Sequence, residues 1–140
     1  MLERIQIWNV LHDGEITAVD GEGNDTMQLV VRIPYLRRRV QPSGDSFVLS
    51  LEGVTLVDFQ DFDGHHTSLR EEIEKRCPKI LSTDSESMPV RVWTTTGPLM
   101  LDFKHIKFSL DSGQEIDFET IDRVSLEYWT EFEERAGHQD

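Results

Sequence analysis

The sequence predicts an α+β domain dominated by antiparallel strands, arranged as a β-sandwich or a partly open barrel. Three observations predict it. Hydrophobic residues recur with a period of two between Ile16 and Tyr128, the signature of half-buried strands. Clusters of Gly, Pro, Asn, Asp and Ser punctuate those runs. One stretch, residues 67–77, keeps a helical rhythm instead. About seven to nine strands follow, with one helix after the fourth.

Ile16 and Ala18 begin the first strand, and Gly21, Glu22, Gly23, Asn24 and Asp25 supply turn chemistry after it. Leu29, Val31, Ile33 and Tyr35 share one face of the second. Pro34 cannot donate to a ladder, so this strand is expected to be an edge or to bulge there. A polar loop at 41–45 leads to Phe47, Leu49 and Leu51, which alternate cleanly. Gly53 breaks that run. Val54 to Phe59 is apolar on both faces and predicts a more central fourth strand.

Leu69, Ile73 and Cys77 recur at helical spacing and predict an amphipathic helix near residues 67–77. Thr67 or Ser68 can cap it, acids occupy its early turns, bases its last, and Pro78 lies just beyond. Strands resume at Pro89–Thr96, and Gly97 with Pro98 is expected to turn the chain. Leu99, Leu101 and Phe103 alternate in one phase, and Ile106, Phe108 and Leu110 in the other. That slip at Lys104 and His105 predicts a bulge or a break between two strands. Asp111 to Gln114 predicts a hairpin loop into Ile116 and Phe118.

The last segment supports two rhythms. Ile121, Val124, Tyr128 and Phe132 suit a helix, whereas Val124, Leu126 and Tyr128 suit a strand. The strand is preferred through Trp129, followed by a frayed acidic tail from about residue 131. Residues 1–140 read as a single domain without repeats or linkers.

The single cysteine, Cys77, excludes an intramolecular disulfide and points to a reducing, cytoplasmic setting. No secretory leader is visible, and no run approaches the ~18 apolar residues of a membrane span. A soluble protein that does not engage membranes is expected. The net charge of −13 repels phosphate backbones, so nucleic acid is not an expected ligand. Such a surface steers a basic protein partner toward itself, although solubility alone also accounts for it. The excess is concentrated: residues 111–140 hold ten acids against Arg123 and Arg135.

Four groups of residues carry candidate chemistry. His12 and Asp13, followed by Gly14, offer an acid–base or metal site, though adjacent side chains diverge and the plainer reading is a turn. Asp61 and Asp63, ahead of Gly64, His65 and His66, resemble a fragment of a calcium loop. The alternation that such a loop needs is interrupted by Phe59 and Phe62, so a solvated loop is expected. Arg37, Arg38 and Arg39 form a basic patch able to cradle an anion, to blunt a strand end, or to answer acids near the C-terminus. Cys77, at a helix C-terminus, is a poor nucleophile. No nucleophile elbow, phosphate-binding loop or dinucleotide fingerprint occurs, and no cofactor or metal is expected.

The run from Trp8 through His12-Asp13-Gly14 to Ile16 resembles the opening of small uncharacterised bacterial β-rich proteins. Tyr35-Leu36-Arg37 and Leu126-Glu127-Tyr128-Trp129 are similar to them too. Some members are thought to be immunity proteins that neutralise secreted toxins. The resemblance covers roughly a tenth of the chain, implies a β-rich domain and identifies no ligand. The leading expectation is therefore a non-enzymatic protein-binding domain, of an immunity type, for a basic partner. The alternatives are a small metal-dependent or acid–base enzyme using His12 and Asp13, with His65, His66 or His105, and a self-associating structural subunit. The oligomeric state stays open.

Overall fold

The computed structural model describes residues 3–21 and 25–137. Two antiparallel sheets of five strands carry the fold, with no closed barrel. In chain order the elements are α1 (Glu3–Val10), β1 (Glu15–Asp20), β2 (Thr26–Arg32), α2 (Pro34–Arg37), β3 (Ser46–Glu52), β4 (Leu56–Gln60), β5 (His66–Thr67) and α3 (Arg70–Arg76). There follow β6 (Ile80–Ser82), β7 (Val90–Thr94), β8 (Gly97–Asp102), β9 (His105–Leu110), β10 (Glu115–Ile116) and α4 (Phe118–Gly137).

One sheet runs β1-β2-β3-β9-β10 and the other β5-β4-β8-β7-β6. In the first, Leu49 pairs with Leu29 on one side and Phe108 on the other, so three strands turn the same phase inward. Leu99 and Leu101 of β8 meet Val92 and Val90 in the second. Both inner faces feed one hydrophobic cluster that also takes Ile7, Trp8 and Leu11 from α1 and its exit. The expected break at Lys104 and His105 is real: it carries the chain from one sheet into the other.

The sheets are joined along β1. Asp13 N–H donates to Ile80 O at 2.8 Å and Ile16 N–H to Pro78 O at 2.9 Å. Glu74 Oε1, reaching from α3, accepts the Val19 N–H at 2.9 Å. The free edge of β1 is thereby closed by residues 78–80 and a helix side chain, which protects it from strand addition.

Several local expectations are corrected. Pro34 lies in no strand: β2 stops at Arg32, and Pro34 opens α2, where a missing N–H costs nothing. Flanked by β1 and β3, β2 is not an edge, and the bulge lies opposite it in β1, between Ile16 and Ala18. The edge that favoured self-association is lost with it. The β4 strand sits beside the two-residue β5, not at the sheet centre, and only Phe59 of β4 is buried. Its remaining apolar side chains lie near a sheet margin. Leu69 stands at the N-cap of α3 without a side-chain cap, because Thr67 Oγ1 instead accepts the Leu69 N–H. The β7–β8 turn falls at Thr95 and Thr96, and Gly97 is already paired with Thr94. Of the expected turn at 21–25, residues 22–24 lie outside the described residues.

The largest correction concerns the C-terminus. Residues 118–137 form a helix, not a strand and tail, and Phe118 is its first residue. Asp117 Oδ1 accepts the Thr120 N–H at 2.9 Å and satisfies an orphan donor of the first turn. Ile121 and Val124 are buried while Leu126 is 67% exposed, so the helical phase prevails over the alternating one. The helix continues through the acidic stretch from residue 131 to Gly137; residues 138–140 of the expected tail lie outside the described residues. Among the described residues, no helix is long and apolar enough to cross a membrane.

Candidate binding surface

The His12-Asp13-Gly14 segment is the exit turn of α1. The positive φ of 73° falls on Asp13. Gly14 is required for closeness instead: a Cβ there would meet Val31 Cγ1 at 2.5 Å. His12 Nδ1 lies 2.7 Å from Asn9 O, so this nitrogen carries the proton and donates it. The imidazole stacks on Trp129 at 4.8 Å, and Tyr35 Oη donates to His12 O. Burial, with help from Asp13 and Tyr128, pushes the Tyr35 phenol up to about 12. These contacts fix the ring as a packing element.

The three arginines point to three different places. Arg37 is 1% exposed and binds Asp111 Oδ1 through Nη2 at 2.7 Å, while Nε also donates to Ser46 O. Arg38 Nε donates to Gly44 O. Arg39 pairs with Glu131 on α4 and lies over the Tyr128 ring. No joint anion cradle results. Arg37 and Arg39 answer C-terminal acids, as one reading of the sequence allowed, and Arg38 does not.

Asp61 and Asp63 lie in the loop between β4 and β5. Asp61 is buried, and its Oδ1 accepts the Asp63 and His65 N–H groups, both at 2.9 Å. Its Oδ2 takes Arg76 Nη2 at 3.0 Å. The His65 N–H, then the Asp63 N–H and Arg76, outweigh burial and hold this carboxyl below the usual carboxylate range. Asp61, Asp63 and His65 do bring three ligand atoms within 4.8 Å of one another. The buried member already spends its lone pairs on two amides and a guanidinium, which makes it a turn-fixing group. His66 Nδ1 pairs with Asp58 at 2.9 Å, and His105 stands on β9 opposite Glu52. Neither joins His12 in a cluster. Burial, then Glu15, raises the Cys77 thiol, which suits an inert side chain.

A surface that the sequence reading missed lies between α1 and α4. Glu3 and Glu119 meet at one end, in a separate cleft that Lys107 of β9 and Ile116 of β10 also line, and His12 stacks on Trp129 at the other, so the helices run side by side in one direction. A shallow cavity of about 320 Å³ opens between them, lined by Gln6, Asn9, Val10 and His12 on one side and Asp122, Ser125, Leu126 and Trp129 on the other. Leu126 and Phe132 are 67% and 49% exposed. Trp129 of the groove is itself held by Tyr35, Tyr128 and Phe132, which pack ring on ring with centroids 4.5–6.4 Å apart. This is a stiff aromatic base under a partly exposed apolar strip. Comparison with family models, curated proteins and solved structures gives no match to this chain.

Proposed function

We propose that this chain is a non-enzymatic protein-binding domain of the immunity type, which engages a basic partner in a bacterial cytoplasm. The observation that carries this reading is the form of the acidic C-terminal segment. It is a twenty-residue helix, so its carboxylates stand on a rigid surface instead of trailing from a tail. Internal arginines answer few of them: Arg37 takes Asp111, Arg39 takes Glu131, and Arg123 lies 3.9 Å from Glu127. Glu119, Asp122, Glu133 and Glu134 have no cation within 4.0 Å among the described residues. Unanswered charge of one sign accelerates encounter with the opposite sign and sharpens selection against acidic competitors.

The leading candidate catalytic group supports the same reading, since the His12 ring is committed to Trp129 and to Asn9 O. The test is calorimetric titration with proteins encoded beside its gene, at low and at physiological salt. A basic neighbour is expected to bind, with affinity falling at least about tenfold as the Debye length shrinks. Failure of every basic neighbour to bind, or salt-independent binding, would exclude it.

A further inference from the structure

We infer that the groove between α1 and α4 is the docking site for a basic amphipathic helix of the partner protein. This rests on the basic-partner reading above and assigns it a place and a shape. Asp122, Leu126 and Trp129 of α4 line the groove, and Glu119 and Glu133 extend this row along the helix at successive spacings of three, four, three and four. That spacing keeps them in one stripe along the helix. The stripe has an apolar centre and carboxylates at both ends; beyond the groove, Glu3 of α1 and Glu119 share a cleft with Lys107, whose own charge Glu52 answers at 3.2 Å. From Glu119 to Glu133 it is about 20 Å long, the length of three to four helical turns.

The complement of this stripe is specific in its chemistry. A third helix laid between two parallel ones presents anchors at i, i+3 and i+4. Its central anchors must be apolar, to cover Leu126, Trp129 and Phe132. Its flanks one to two turns away must be Lys or Arg, to meet Glu119 and Asp122 on one side and Glu133 on the other. A second copy of this chain fits poorly, because two faces of the same negative sign would be apposed. The aromatic base makes the site preformed, so little ordering of this chain opposes binding.

A display library of random peptides of about 16 residues, enough to span the groove as a helix, is selected against the purified chain at low salt. Enriched peptides are expected to be basic at both ends with apolar residues at helical spacing in between. Leu126→Arg should weaken the selected peptides at least about tenfold, as loss of a central anchor does. Asp122→Asn with Glu133→Gln should flatten their salt dependence. Phe62→Arg, at a 76% exposed site on the β4–β5 loop, should leave binding unchanged. Leu126 is exposed enough that its variant keeps the parent melting temperature, which is checked alongside.

Enrichment of acidic or neutral peptides, or equal binding to Leu126→Arg, overturns the inference. So does concentration-dependent dimerisation that Leu126→Arg abolishes, since the occupant is then a second copy. A basic neighbour-encoded protein that binds Leu126→Arg as tightly as the parent overturns the groove alone and leaves the basic-partner reading standing. Loss of all salt-sensitive basic ligands removes both.

Discussion

Replacing Arg37 with alanine is expected to destabilise the fold by about 3 kcal/mol, the lower end of the range for breaking a buried ion pair. Arg37 is 1% exposed and Asp111 28%, so water partly reaches the acid and moderates the penalty. The substitution removes more than one contact. Arg37 Nε serves Ser46 O and Asp111 Oδ1, and Asp111 Oδ2 accepts the N–H groups of Asp45 and Ser46. Together they fasten the loop after α2 to the end of β9, and hence the start of β3 to its neighbour. Urea unfolding of the variant should show a lower midpoint with little change in slope.

The same pair gives the fold a pH dependence. Burial pushes the Asp111 carboxyl up, but the Asp45 N–H, the Arg37 guanidinium and the Ser46 N–H outweigh it and leave the group below its ordinary value. A depressed carboxyl contributes stability that is present above the ordinary value of 3.8 and is lost as pH falls through the folded value. Asp61 shifts in the same direction. Acid unfolding should therefore steepen below about pH 4, and Arg37→Ala should flatten that limb.

Gly97→Ala is expected to cost at least as much, about 3–5 kcal/mol from strain and overpacking together. The backbone there has φ +142°, and an added Cβ would stand 2.0 Å from Gln60 O, which is main chain and cannot swing aside. Gly97 opens β8 at the end of its pairing with β7, and β4 flanks β8 on the other side. Thr94 Oγ1 also donates to Gly97 O at 2.5 Å and fixes the approach. Calorimetry of the variant should show a melting temperature lowered by roughly 10 °C or more, or no cooperative transition. A melting temperature within a few degrees of the parent would mean that β7 and β8 approach β4 less closely than the structure places them.

Most strands were legible because alternation survives wherever one face is buried. Phe47, Leu49 and Leu51 needed no tertiary information. The failures have physical causes. Pro34 broke no strand because the chain had already turned into α2, and Ile33 kept the alternating phase while standing at the helix cap. The first helix escaped notice because Ile5, Ile7, Trp8, Val10 and Leu11 are too dense to form a narrow stripe. In the last helix, Val124, Leu126 and Tyr128 imitate a strand. The deciding signal, Asp117 capping Thr120 with Glu119 in the first turn, was present but was absorbed into the alternation of Ile116 and Phe118. Misreading α4 as strand and tail hid the α1–α4 groove, since its stripe exists only at helical spacing. The arginine patch was legible as an answer to C-terminal acids, but which arginine meets which acid depends on contacts 74 and 92 residues apart.

Amide chemical-shift mapping of the isotope-labelled chain, titrated with a basic neighbour-encoded protein or a selected basic peptide that binds it, tests the proposed acidic docking surface most directly. Perturbations are expected to concentrate between Glu3 and His12 and between Glu119 and Glu133, and to fade at high salt. Perturbations centred on Asp61 to His66 or on Arg37 to Arg39, or undiminished by salt, would contradict the assignment of this acidic helical face as the partner's seat.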